Sequence, residues 1–223
     1  MRRRRHQSSA GLMYIISIVT IVAIAVLPQM FAGYIQEENV SRAQKGYASL
    51  ANALTMVKAW GGDYVFEFKR DNLDDIKDWY EEFLEPNIQT VKTCYDEAGC
   101  WNEGNTIGLN GINVHHNRKS IGIGRNIITT ELRDGTFVNI DLCSADYIWK
   151  YYSVDLHTES GLTFYYDING NKKPNVVGKD IFVAIFTEDG LVPAYRDQTA
   201  NRVLSDCSKK GTGTSCLRIF MKK

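Results

Sequence analysis

The stretch Tyr166-Asp167-Ile168-Asn169-Gly170-Asn171-Lys172-Lys173-Pro174-Asn175-Val176-Val177-Gly178-Lys179-Asp180 is rich in oxygen donors. Asp167, Asn169 and Asn171 alternate as the opening of a calcium loop does, because a hard cation takes several carboxylate and carbonyl oxygens from one tight turn. The spacing is not that of an EF-hand, since Gly170 falls too early and no Glu closes the loop. The same residues also suit a rigid turn in which Asn and Asp side chains bond nearby backbone. The second chemistry-bearing set is five cysteines. Cys94 and Cys100 enclose Tyr-Asp-Glu-Ala-Gly, and Cys207 and Cys216 enclose a loop with Lys209-Lys210-Gly211-Thr212-Gly213. A disulfide closing so short a loop adds about 2–3 kcal/mol. Zinc is the rival use of these thiols, although no Cys-x-x-Cys pair occurs and the histidines are poorly spaced for it. Cys143 is left over, either buried in a strand or reactive.

The remaining polar residues do not assemble into a catalytic pattern. His115-His116 suit metal binding or acid–base work, but in a Gly/Asn-rich loop they read as solvated side chains. His157, beside Asp155 and Glu159, reads as surface. Gly122-Ile123-Gly124 is too short for a nucleotide fingerprint, and Ser120 and Ser205 lack a nucleophile elbow. Glu81, Glu82 and Glu85 read as the polar side of a helix rather than a glycosidase pair. The sequence predicts no catalytic residue and no enzyme.

Elements must hold these groups, and the chain has 223 residues to build them, enough for one domain plus an extension. With 44% hydrophobic, 11% aromatic and 23% charged residues, it is no disordered or collagen-like polymer. The 26 basic and 26 acidic residues cancel, which removes the basic footprint of a nucleic-acid binder. Charge is nevertheless segregated: Arg2, Arg3, Arg4 and Arg5 precede an uncharged stretch from 7 to 36. Roughly 20 apolar residues cross a bilayer core, so residues 12–33 are expected to span one. The arginines then place the N-terminus in the cytoplasm. A cleaved signal peptide is the alternative, but Ala23-Ile24-Ala25 lies inside the apolar run and Phe31-Ala32-Gly33 is a poor cleavage site.

Beyond Gln36, Val40, Ala43, Tyr47, Leu50, Leu54 and Val57 recur at intervals of three and four, an amphipathic helix with one apolar face. Gly61-Gly62 ends it. If helical from Leu12 to Trp60, this element is about 73 Å long, with Pro28 a predicted kink.

A basic leader, Gly11 before an apolar run, Pro28 within it, and an amphipathic helix ending in Gly61-Gly62-Asp63-Tyr64 together resemble type IV pilin-like proteins, including the pseudopilins of type II secretion. The segments Trp79–Trp101 and Tyr166–Phe182 are similar to that group too. The resemblance implies a bacterial protein cut by a prepilin peptidase between Gly11 and Leu12, methylated there, and packed by its helices into a filament with other pilin-like subunits. It implies residence in the inner membrane beforehand, with the head periplasmic or extracellular. Leu12 would be first after the cut and Ile16 fifth, where the family usually has Phe or Met and Glu, which points to a minor subunit. The C-terminal cysteine loop resembles the disulfide-bounded loop near the end of many pilins. Calcium in the strand-to-strand loop is a further implication, with Asp167, Asn169, Asn175 and Asp180 as its ligands.

The fold expected is α+β, a long N-terminal membrane-spanning helix packed on a small antiparallel β-sheet head. The divisions are 1–11 leader, 12–33 transmembrane, 34–60 exported helix and 61–223 head. A second helix, Leu73–Leu84 with Asn72 as cap, is expected to continue through Val91 to Cys94. Asn102–Gly124 reads as a long surface loop with one short strand. Strands are expected at Ile127–Leu132 and Thr136–Leu142 around the turn Arg133-Asp134-Gly135, and at Tyr147–Val154, Leu162–Tyr166 and Ile181–Phe186. The competing function is an uncleaved, membrane-anchored extracytoplasmic domain that binds a ligand.

Overall fold

The computed structural model describes residues 9–68, 73–101, 104–114 and 127–222. The chain divides into two units, Met1–Glu38 and Asn39–Lys223. One helix, α1 (Ser9–Ala59), contributes to both.

Within the first unit, Met13, Tyr14, Ile15, Ile16, Ile18, Val19 and Ile21 are all more than half exposed. The two hydroxyls among them turn inward: Ser17 donates to Met13 O and Thr20 to Ile16 O, both at 2.8 Å. The outer surface of this part of α1 is therefore apolar on every side. The expectation of a membrane span over 12–33 is corrected here. Among the described residues no helix is long and apolar enough to cross a membrane. From Glu37 onward charged residues enter α1. The transmembrane and prepilin readings fall with that finding. So does the inner-membrane location with a cytoplasmic N-terminus.

The second unit is α+β, built on a six-stranded antiparallel sheet in the order β1-β2-β3-β4-β5-β6. The strands are β1 Thr90–Tyr95, β2 Ile127–Leu132, β3 Phe137–Ser144, β4 Ser160–Asp167, β5 Ile181–Thr187 and β6 Gly190–Pro193. Every neighbour pair is antiparallel. Successive side chains in a strand face opposite sides, and here both sides are covered. Val138, Ile140, Leu142, Phe164, Tyr166, Phe182, Ala184 and Phe186 form one core with Ala43, Leu50, Leu54 and Val57 of α1. Phe137, Cys143, Tyr165, Val183 and Ile185 form a second core with Trp101, Val154, Leu156, Ala194 and the helix α3 (Ala145–Tyr152). β4 and β5 are buried along their whole length. β5 reads as a continuous apolar run from Ile181 to Phe186 for that reason.

Two bonds tie α1 to the sheet edge and centre. Tyr47 donates its hydroxyl to Leu191 O of β6, and Tyr166 donates to Ala43 O at 3.1 Å. At its C-terminal end α1 gives way to a 3-10 segment, Gly62–Glu67, beneath α2 (Leu73–Trp79) and the π-helical turn Tyr80–Leu84. Trp79, fully buried, donates from Nε1 to Gly62 O at 2.6 Å. Two short helices, α4 (Ala200–Asp206) and α5 (Cys216–Phe220), complete the unit.

Three local expectations are corrected. Val91 to Cys94 is strand β1, because its backbone pairs with β2 from Thr90 to Tyr95. Tyr147–Val154 is not a strand: Ser144 caps α3 by accepting from Tyr147 N at 3.3 Å, and Ser153 ends it at φ 51°. Part of the expected surface loop is buried structure, since Thr106 and Gly108 are shielded. The capping role of Asn72, and residues 102–103 and 115–124 of the expected loop, lie outside the described residues.

Candidate functional site

The β4–β5 connection brings its oxygen-bearing residues together. Asp167 ends β4, fully buried, and Oδ1 accepts from the backbone N–H of Asn169 and Gly170, both at 3.1 Å. Asp180, also fully buried, accepts at Oδ2 from Asn169 Nδ2 at 3.0 Å and Asn175 N at 2.8 Å, and at Oδ1 from Val176 N at 2.6 Å. Burial pushes the Asp180 carboxyl above the usual aspartate range, and these three donors offset only part of that. Asn175 adopts φ 54° and is 5% exposed. The side-chain oxygens Asn169 Oδ1 and Asn175 Oδ1 are buried without a hydrogen-bond partner among the described residues. Such orphaned acceptors cost about 1–3 kcal/mol each and call for an explanation. Asn171, by contrast, is exposed.

Two further segments lock this loop in place, and sequence reading did not join them to it. Ile107 N donates to Asn175 O at 3.1 Å, and Val177 N donates back to Ile107 O at 2.9 Å. Leu109 N and Asn110 N donate to Thr212 O and Gly211 O, each at 3.0 Å. Gly178 and Gly213 make the close approach: both have positive φ, and a Cβ on Gly213 would collide with Val177 O. The concentration of Gly in 108–111 and 211–213 was the available signal.

The C-terminal loop is closed by Cys207–Cys216, with Cα atoms 4.9 Å apart. Asp206 organises its interior, accepting from Thr212 N at 3.1 Å, Thr212 Oγ1 at 2.8 Å and Ser215 N at 2.8 Å. Asp206 was not singled out in the sequence, since a lone Asp before a Cys gives no pattern. Cys94–Cys100 is the other bridge, with Cα atoms 5.9 Å apart. Cys143 lies outside both disulfides, buried in β3, where it donates to Asp141 Oδ2 at 3.4 Å. Next to it Tyr152 and Tyr165 share a hydroxyl contact of 3.1 Å, and burial raises both phenols.

The other candidate groups stay apart. His157 is exposed, Glu81 accepts from Tyr95 at 2.8 Å, and Ser205 is exposed on α4. His115, His116, Ser120 and Gly122-Ile123-Gly124 lie outside the described residues. Gly11 and Leu12 fall in α1, their side chains outside the description. Among the described residues, no group of three or more His, Cys, Asp or Glu is placed to hold a metal ion.

Comparison with protein-family models, with curated proteins and with solved structures gives no match. The pilin resemblance rests on the residues quoted for it.

Proposed function

We propose that this chain is a structural subunit, a minor pilin or pseudopilin, of a type II secretion or type IV pilus filament, assembled through its N-terminal helix with other pilin-like subunits. The observation that carries the proposal is the exposed apolar surface from Met13 to Ile21. A helix that is apolar on one face needs one neighbour, whereas one apolar all round needs several. Burying seven such side chains returns roughly 10–20 kcal/mol, comparable to or above the ~4–15 kcal/mol cost of association. The second unit offers no convergent acid–base or nucleophilic group among its described residues, and its buried sheet and paired disulfides suit a passive, durable head. Negative-stain electron microscopy of the concentrated full chain tests this. Filaments or helical oligomers are expected, and dispersed single particles at every concentration contradict it.

A second observation, the two orphaned amide oxygens, favours calcium as a structural ion in the β4–β5 loop. Asp167, Asn169, Asn175 and Asp180 are all oxygen donors, which matches the preference of a hard cation. Calcium there would cancel the charge of buried Asp180 and satisfy Asn169 Oδ1 and Asn175 Oδ1. Calcium added to chelator-treated protein is expected to raise the melting midpoint, and Asn169→Ala to abolish the increment. An unchanged midpoint, or an increment that survives Asn169→Ala, contradicts the ion.

A further inference from the structure

Two exposed surfaces of the second unit have opposite charge and matching apolar content. The first is a groove of about 170 Å³ between α4 and α5, lined by Ala200, Val203, Leu204, Arg218, Ile219 and Lys222. An apolar cavity of ~150 Å³ already accepts one aromatic ring. Leu204, on its wall, is 58% exposed. From 200 to 222 the sequence places Arg202, Lys209, Lys210, Arg218 and Lys222 against one acid, Asp206, which is buried and engaged with Thr212 and Ser215. Arg218 donates from Nη1 to Tyr195 O and Gln198 O, which are neutral carbonyls, and its charge also acts on the Asp197 carboxylate. No salt bridge reaches Arg218 or Lys222 among the described residues.

The second surface lies at the C-terminal end of α1. Trp60 is 53% exposed and Tyr64 38% exposed, with Met56 one turn before Trp60. Tyr64 stands edge-on to Phe83, with centroids 5.7 Å apart, and burial and then the charges of Glu82, Asp78 and Asp75 raise its phenol. From 61 to 85 the sequence carries nine carboxylates against Lys69, Arg70 and Lys77. The two surfaces sit at different levels of α1. Gln44 Nε2 donates to Phe220 O at 2.7 Å, which fixes α5 beside residue 44, while Trp60 follows the helix end. That separation is about 24 Å along the helix axis.

We propose that the α4–α5 groove of one copy receives the Trp60–Tyr64 aromatic, acid-rimmed surface of a second copy. This deepens the filament reading and rests on it. Unlike charges meet across the contact while like charges oppose the groove-to-groove alternative. The two faces differ, so the contact is heterologous and leaves one groove and one aromatic face free at the ends of every open oligomer. Repeated, it gives a ring or an open helical filament rather than a closed dimer.

Variants of the full chain with one added surface cysteine, Asp63→Cys and Lys222→Cys, test the contact by mild oxidation after sedimentation has shown that the sample is assembled. The mixture is expected to give at least tenfold more cross-linked dimer than either variant alone. Lys222→Glu is expected to weaken self-association by about tenfold, with Asp63→Lys restoring it when the two variants are mixed. An assembled sample without mixed cross-links overturns the head-to-tail contact and leaves the filament reading intact. Cross-linking as strong in one variant alone overturns it in favour of a symmetric contact. A wild-type chain that never sediments as more than a monomer overturns both.

Discussion

Tyr166 places its ring in the core between α1 and the sheet, yet its hydroxyl finds Ala43 O at 3.1 Å. Its neighbour Gly46 leaves room for that ring, since a Cβ there would come within 3.2 Å of it. Tyr166→Phe strands a carbonyl that already serves the helix, so the expected loss is about 1 kcal/mol in a urea denaturation curve. Asp197 makes a different kind of prediction. Burial lifts its pKa, but the hydrogen bonds from Arg196 and from Asp155 N outweigh burial and leave the carboxyl below the usual aspartate range. A pKa depressed by folding stabilises the native state above the unfolded value near ~3.9, and that contribution is lost as pH falls through the lower folded value. Asp197→Asn is therefore expected to lower the melting midpoint at neutral pH and to flatten its decline in that acid window. Equal acid sensitivity in both proteins would contradict this assignment.

α1 holds two regimes within one element. From Val40 onward its three-and-four spacing is the face that meets the sheet, and Leu54 is 1% exposed. Leu54→Ala is expected to cost about 2–5 kcal/mol of unfolding free energy. Ile18→Asn, on the exposed stretch, is expected to change the stability of the isolated subunit by no more than ~0.5 kcal/mol. The disulfide loops make a second contrast with side-chain packing: replacing both Cys207 and Cys216 by Ser is expected to cost about 2–3 kcal/mol. Much of this level is legible in the sequence. Gly61-Gly62 does end α1, and Arg133-Asp134-Gly135 does turn β2 into β3. The α3 segment is not legible as a helix because Tyr147, Trp149, Tyr151 and Tyr152 favour strands by propensity. Tertiary burial of Ile148 and Tyr152 on one side, with the Ser144 cap, overrides that preference. β1 follows Pro86 and carries only one fully shielded side chain, Cys94, so no alternation marks it. The β4–β5 loop residues can be picked out by type and spacing. Its bracing by Ile107 and Gly213 cannot, since those contacts join segments far apart through backbone atoms.

At the scale of the molecule, a sheet buried on both faces gives a head that is complete in itself, while the apolar side chains from Met13 to Ile21 remain without burial in the single chain. The uncharged apolar stretch predicts a membrane span over 12–33, and that expectation fails among the described residues. In the proposed filament, other subunits cover this surface. The most direct measurement is sedimentation velocity over a concentration series, comparing the wild-type chain with the triple variant Ile16→Asn, Ile18→Asn, Ile21→Asn. The wild type is expected to form large oligomers while the triple variant stays monomeric with an unchanged melting midpoint. A monomeric wild type at every concentration, or a triple variant that assembles equally well, would contradict assembly through the N-terminal helix.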